Sequence, residues 1–336
     1  MYLIIGASSF IGVYTVEEFL KQDCDIIVTG RNNKFREHYD KLGVKYINLD
    51  LTKPEDFNSL PTQNIEGVIL LGGLLPANSK ADLENVENAA EYFEVNTIGT
   101  INLLEYCRKN KIKRVISTCS YADVRGAWGK KLITEDEPRD YIYEGDHAVY
   151  VFSKNAANDI MQYYNNQYSM KNAWFRFPPV YGVGPHDSIY VNGKIKKSGL
   201  KIFIDNAKEG KDLCIFGDRN LSRDIAYVKD VAHAFYLAIK SESTQGLYNM
   251  SSGKGVTLQE QAEIIADVWA PNIEKKSKIT YRPDIQNNTT SYLFSMKKAR
   301  DDFGYIPKFS DFRLMMQDYK NDLDNSKYQE LFNYVK

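Results

Sequence analysis

The sequence predicts an α/β fold: a doubly wound parallel sheet with a smaller, interleaved C-terminal lobe. Three observations carry that expectation. Short β-rich apolar runs alternate with amphipathic helical patterns through the first half of the chain, as parallel βαβ units require. The first run passes straight into a small-residue turn, Gly6-Ala7-Ser8-Ser9-Phe10-Ile11-Gly12. After about residue 177 the elements shorten, punctuated by Gly, Pro and Asn.

Strands are expected at residues 2–5, 25–29, 44–48, 67–71, 113–118 and 172–176. Residues 13–21 set Val13, Val16, Phe19 and Leu20 on one helical face, and residues 93–109 do the same with Phe93, Ile98, Ile101, Leu104 and Cys107. A later strand-like run, 247–250, interrupts the second half and is expected to rejoin the sheet. There is no internal repeat and no low-complexity linker.

The composition is that of a soluble globular chain of 336 residues, 43 % apolar and 26 % charged. A net charge of −1 gives no basic field for nucleic acid or an anionic membrane surface. The 24 tyrosines are scattered and read as core and wet surface. Cys24, Cys107, Cys119 and Cys214 lie far apart without a C-x-x-C pair, so buried free thiols are expected rather than disulfides or a metal site. His38, His147, His186 and His233 show no ligand spacing. The chain opens on the apolar run Tyr2-Leu3-Ile4-Ile5 without a basic n-region, and no uncharged stretch has the length of a membrane span. A cytoplasmic protein is expected.

Gly6, Ser8, Ser9, Phe10, Ile11 and Gly12 form the candidate cofactor turn. Small residues let backbone amides approach a pyrophosphate, and the following helix N-terminus adds partial positive charge. A strand before and a helix after make this a Rossmann-type dinucleotide signature. Ser9 replaces the middle glycine of Gly-x-x-Gly-x-x-Gly; it narrows the turn, but its hydroxyl can itself meet phosphate. The second strand ends Val28-Thr29-Gly30-Arg31. NAD-selective sites put an acid there for the adenosine ribose hydroxyls. Gly30 offers none, and Arg31 can pair with a 2′-phosphate. NADP(H) is therefore favoured, with NAD(H) the alternative.

Tyr150-Val151-Phe152-Ser153-Lys154 spaces a tyrosine and a lysine to share a helical face. A free tyrosine is a poor base at neutral pH; a nearby ammonium favours the phenolate and tunes it for proton transfer.

With the glycine turn upstream, this motif resembles the extended short-chain dehydrogenase/reductase family, in its nucleotide-sugar epimerase, dehydratase and reductase group that includes UDP-galactose 4-epimerase. The resemblance covers nearly the whole chain. It implies adenine contacts from Asp50 and Leu51, and further cofactor contacts from Leu71, Gly72, Asn96, Thr118, Val180, Tyr150 and Lys154. It implies that Ser120, ending the fifth strand, polarises the reacting oxygen, with Thr118 the alternative. Arg176-Phe177-Pro178-Pro179-Val180-Tyr181-Gly182 resembles a segment in which Asn, not Pro179, is usual. Arg223, in Ser222-Arg223-Asp224, and Arg282, in Arg282-Pro283-Asp284, resemble the two arginines that grip a substrate diphosphate. Residues 1–176, rejoined by about 224–250, are then the dinucleotide-binding domain; 177–223 and 251–336 are the substrate-binding lobe.

The resemblance implies oxidoreduction of a nucleotide-diphosphate sugar through Ser120, Tyr150 and Lys154, as a 4-epimerase or 4-keto reductase. Tyr121-Ala122 stand where the family's 4,6-dehydratases carry Asp-Glu, which disfavours dehydration. A non-catalytic dinucleotide-binding protein and a dehydrogenase of a non-nucleotide substrate are the alternatives. The family pairs the helices at 93–109 and 150–168 across a two-fold, so a homodimer is expected. Substrate identity is expected to rest on loops 76–92, 121–149 and 183–198.

Overall fold

Strand β1 (Tyr2–Ile5) is buried at every position, as are β2 (Ile26–Gly30), β4 (Gly67–Leu70) and β6 (Ala173–Phe177). Continuous burial is what strands covered on both faces require. With β3 (Lys45–Asn48), β5 (Val115–Ser120) and β7 (Gly246–Asn249) they form one sheet in the order β7-β6-β5-β4-β1-β2-β3. Every pairing is parallel. This is a computed structural model, and it describes residues 1–76, 89–145, 147–185, 187–191, 194–287 and 289–332. His186 and most of the 76–92 loop lie outside the described residues.

Alternation along the strands divides the core in two. Ile4, Val28, Ile69, Ile116 and Phe175 face one cluster, covered by α1 (Phe10–Lys21), α2 (Asn33–Lys41) and α7 (Val228–Lys240). Leu3, Ile5, Val68, Leu70, Val115 and Cys119 face the other, covered by α4 (Gly99–Lys109) and α5 (Ala148–Tyr168). Helix α1 begins at Phe10, earlier than its apolar stripe at 13–21, because Ser9 caps it. Before α4, the short α3 (Ala89–Phe93) leads into a single π turn, Glu94–Ile98, inside the helix expected at 93–109. Such π turns cluster at functional sites.

Between β6 and β7 the chain leaves the sheet and returns. Helices α6 (Gly199–Glu209), α8 (Leu258–Trp269) and α9 (Phe312–Asp324) enclose a separate core that includes Ile204, Leu213, Ile265, Trp269, Met315 and Met316. Asp224 and Asp230 bind this region together. The buried Asp224 carboxylate accepts from Ser251 Oγ (2.7 Å), Ser252 Oγ (2.8 Å) and the amides of Gly253 and Phe294 (both 3.1 Å). Burial pushes its pKa up to about 6, against those donors. Asp230 accepts from the amides of Lys308 and Phe309, both at 2.9 Å. The acids of the Arg223-Asp224…Asp230 run are thus structural ties.

Two of the four cysteines, Cys107 and Cys119, are buried; Cys24 and Cys214 are half-buried, and all four are free. Among the described residues no cluster suits a metal ion, and no helix is long and apolar enough to cross a membrane.

Candidate functional site

The strand order reverses between β1 and β4, and their carboxyl ends open the crevice where such sheets take ligands. Gly6 leaves β1 with φ +86°, and a Cβ on it would lie 2.2 Å from the Gly72 nitrogen. Leu71 and Gly72 both donate their amides to Ile5 O, at 2.8 and 3.0 Å. Only glycine allows these two loops so close. Gly12 is as confined: a Cβ there would meet Gly6 O at 2.6 Å. Ser9 Oγ accepts from the Gly12 amide at 3.1 Å and keeps its own hydrogen to donate. Phe10 turns away into a buried cluster with Tyr14 and Val228, and Ile11 packs beside it.

At the end of β2, Arg31 is exposed and reaches Asp50 at 3.4 Å. Asp50 Oδ1 accepts from the Thr52 amide (3.0 Å) and hydroxyl (2.8 Å). Leu51 is buried, its side chain 2.9 Å from where a Gly72 Cβ would stand. The carboxylate absent from position 30 is therefore present nearby as Asp50, already shared with Arg31.

Asn96 lies in the π turn, buried, with its amide fully committed. Its Oδ1 accepts from the Leu74 amide (2.8 Å), and its Nδ2 donates to Leu74 O and Ser153 Oγ (both 3.0 Å). Thr97 Oγ1 donates to Ser153 O at 2.9 Å. These bonds fasten the loop after β4 to α5, one residue before Lys154.

Tyr150 and Lys154 occupy the first two turns of α5. Among the described residues neither the Tyr150 hydroxyl nor the Lys154 ammonium has a hydrogen-bond or ion-pair partner. Burial pushes the Lys154 ammonium down to about 8, with Cys119 acting in the opposite sense. Burial also pushes the Tyr150 phenol up, helped by Cys119 and Tyr92. This differs from the sequence expectation that Lys154 lowers the tyrosine. The stems share a face, but in this structure desolvation outweighs any ammonium field at the phenol.

Ser120 closes β5 and caps the 3-10 turn Tyr121–Ala127, its Oγ accepting from the Ala122 amide at 3.2 Å. Thr118 lies two residues back, opposite Phe175, and is half-buried. Alternation points Ser117 and Cys119 at α5, where Ser117 Oγ donates to Met161 Sδ at 3.1 Å. Cys119, which sequence reasoning passed over, is thus the β5 side chain whose thiol acts on both Tyr150 and Lys154. The two-residue period of the strand carried that signal.

Arg223 donates to Thr289 Oγ1 at 2.7 Å, and its charge acts on the phenols of Tyr121, Tyr181 and Tyr292. Arg282 is exposed and forms a two-bond pair with Asp284, at 2.9 and 2.7 Å. The two arginines lie on different strand pairs, Ser222–Asp224 with Gly255–Thr257 and Ile279–Arg282 with Leu213–Phe216. Val180 is half-buried in a bridge to Ala226. A further pair was not foreseen: Arg176 and Asp123, both buried, meet at 2.9 and 3.2 Å. Arg176 Nη1 also donates to Asn249 Oδ1 at 3.1 Å, so the pair ties the turn after Ser120 to β6 and β7.

The sequence profile of the NAD dependent epimerase/dehydratase family matches residues 2–251. The chain belongs to this family. It is an enzyme chain of the extended short-chain dehydrogenase/reductase, nucleotide-sugar epimerase group. Among relatives of the family, it is 26 % identical over 270 residues to a "Putative UDP-glucose 4-epimerase" of Methanocaldococcus jannaschii, covering 79 % of this chain and 81 % of that one. It is 22 % identical over 312 residues to a dTDP-4-dehydro-6-deoxyglucose reductase of Escherichia coli, covering 91 % and 92 %. The crystal structure of a Thermus thermophilus UDP-glucose 4-epimerase in complex with NAD superposes with a TM-score of 0.68 at 24 % identity, covering 95 % and 98 %. That likeness establishes the family's Rossmann-like fold in this chain.

Proposed function

We propose that this protein catalyses oxidoreduction at C4 of a sugar carried on a nucleotide diphosphate, as a 4-epimerase or a 4-keto reductase, with NADP(H) ahead of NAD(H). The observation that carries the reading is Lys154, a buried ammonium with no partner among the described residues, on the same helix as Tyr150. A buried cation is costly unless something pairs with it, and ribose hydroxyls of a dinucleotide would supply that. The tight Gly6–Gly72 approach beside the α1 N-terminus supports a pyrophosphate at the other end. These residues fit a nicotinamide dinucleotide.

In this reading Gly6, Ser8, Ser9 and Gly12 admit the pyrophosphate, Leu71 and Gly72 supply backbone along it, and the backbone at Val180 faces the nicotinamide. Arg31 meets the adenosine ribose, Asp50 and Leu51 the adenine edge. Asn96 acts by positioning, since both its amide hydrogens are already donated to Leu74 O and Ser153 Oγ. Lys154 holds the nicotinamide ribose and, once drawn towards it, favours the Tyr150 phenolate. Tyr150 then takes or returns the proton of the C4 hydroxyl, and Ser120, through the hydrogen its capping bond leaves free, steadies that oxygen. The dinucleotide, when bound, supplies hydride acceptance and return. Arg223 and Arg282 receive the diphosphate.

The test is a thermal-shift panel of UDP-, dTDP- and GDP-linked sugars, followed by mass spectrometry of the products. Conversion of a stabilising sugar to its C4 epimer without net consumption of reduced cofactor identifies the epimerase. Consumption of NADPH with a 4-keto sugar identifies the reductase. A protein that binds dinucleotide but neither binds nor converts any nucleotide-sugar overturns the reading.

A further inference from the structure

We propose that Tyr46, through the hydroxyl it holds against Gly30, determines how this chain receives the adenosine ribose: it bars a carboxylate from position 30 and leaves Arg31 to meet a 2′-phosphorylated ribose. This rests on the cofactor reading above and deepens it.

A Cβ on Gly30 would lie 2.4 Å from Tyr46 Oη and 2.8 Å from Ser8 Oγ. Neither is a tolerable distance for a Cβ, so a neighbour must move. Ser8 has a single side-chain torsion and can turn its hydroxyl aside. Tyr46 is held from several directions. It is buried, and its hydroxyl accepts from Asn32 N and donates to Asn32 O, both at 3.2 Å. Its ring stacks on Tyr39 with centroids 6.0 Å apart, and the Arg36 guanidinium lies 5.1 Å from its centroid. Tyr39 is fixed in turn by its hydroxyl bond to Ala7 O, 2.7 Å, inside the cofactor turn. Moving Tyr46 also disturbs Asn32, whose side chain caps α2 by accepting from the Lys34 amide at 3.0 Å.

The consequence is chemical. A ribose with two free hydroxyls is recognised by a carboxylate acceptor at the end of the second strand. Here that space is filled by neutral hydroxyls. The neighbouring charge is Arg31, exposed and tied to Asp50 by one long contact of 3.4 Å. A phosphate ester offers Arg31 a stronger, bidentate partner than that contact.

The test is a cycle between positions 30 and 46, read by melting temperature and by dissociation constants of NAD⁺ and NADP⁺ on the cofactor-free protein. Gly30→Ala adds only the conflicting Cβ; it lowers the melting temperature with Tyr46 present and by less than a third as much beside Tyr46→Phe. Gly30→Asp alone weakens both dinucleotides about tenfold or more. Gly30→Asp with Tyr46→Phe binds NAD⁺ at least tenfold better than Gly30→Asp alone. Equal costs of Gly30→Ala in both backgrounds, or improved NAD⁺ binding by Gly30→Asp with Tyr46 intact, overturn the assignment. If the parent prefers NAD⁺, the cofactor reading falls, while the Gly30→Ala pair still decides whether Tyr46 bars the position.

Discussion

Replacing Lys154 by Met should stabilise the cofactor-free protein while destroying its hold on the cofactor. Lys154 is 6 % exposed and its pKa falls from 10.5 to about 8 through burial. At about 1.4 kcal/mol per pH unit, that drop corresponds to about 3 kcal/mol of folding free energy at neutral pH. The sign follows from proton counts. Between pH 8 and 10.5 the unfolded lysine holds its proton and the folded one has released it, so the parent gains stability as pH rises through that window. Lys154→Met has no such gain. The variant should therefore be more stable than the parent by up to about 3 kcal/mol at pH 7, with the advantage shrinking between pH 8 and 10. Urea denaturation of both cofactor-free proteins at pH 7, 9 and 10 measures this directly. Adding NADP⁺ should stabilise the parent and leave the variant nearly unchanged. A variant less stable than the parent at pH 7, or a difference constant from pH 7 to 10, refutes the claim that Lys154 is an uncompensated buried cation.

Tyr150→Phe should keep its melting temperature, because the hydroxyl has no partner to lose among the described residues, and lower turnover about 10²–10⁴-fold; turnover within threefold of the parent rules out its role in proton transfer. Asn96→Ala removes three buried hydrogen bonds and should cost about 2–4 kcal/mol in denaturant unfolding, with weaker dinucleotide binding as the loop at 71–75 loosens; unchanged binding would confine Asn96 to stability. Arg176→Met strands the Asp123 carboxylate in the interior and should cost about 3–5 kcal/mol, largely recovered by adding Asp123→Leu. A homodimer is expected through the exposed Phe93, Ile98, Tyr163 and Tyr168 on α3 to α5; light scattering that shows a monomer at micromolar concentration excludes it.

The sheet was readable because each strand is short, apolar and bounded by turn residues; all seven lie within two residues of their expected positions. The glycine turn was equally legible, since the steric demands at Gly6 and Gly12 are local. What was hidden depended on partners distant in sequence. Nothing near Arg176 announces that it is buried against Asp123, and Asn96 shows its commitments only once Leu74 and Ser153 are brought to it. Gly30 read as a missing acid; that the space is already filled by Tyr46 needed β2 beside β3. The state of Tyr150 in the cofactor-free chain was hidden for a related reason. Helical spacing gives shared faces, but burial decides which charge is tolerated there.

The return of the chain to β7 has a consequence for synthesis. Until residues 246–249 exist, β6 has no neighbour on its outer side, and an unpaired apolar strand edge invites pairing with other chains. At typical elongation rates the stretch from 177 to 249 takes roughly 4–14 s to emerge. Throughout that interval the nascent sheet is one strand short, along an edge made of Ala173, Trp174, Phe175, Arg176 and Phe177. Chains truncated anywhere in the excursion inherit that open edge permanently and should accumulate as aggregates, whereas cuts beyond β7 leave the sheet complete.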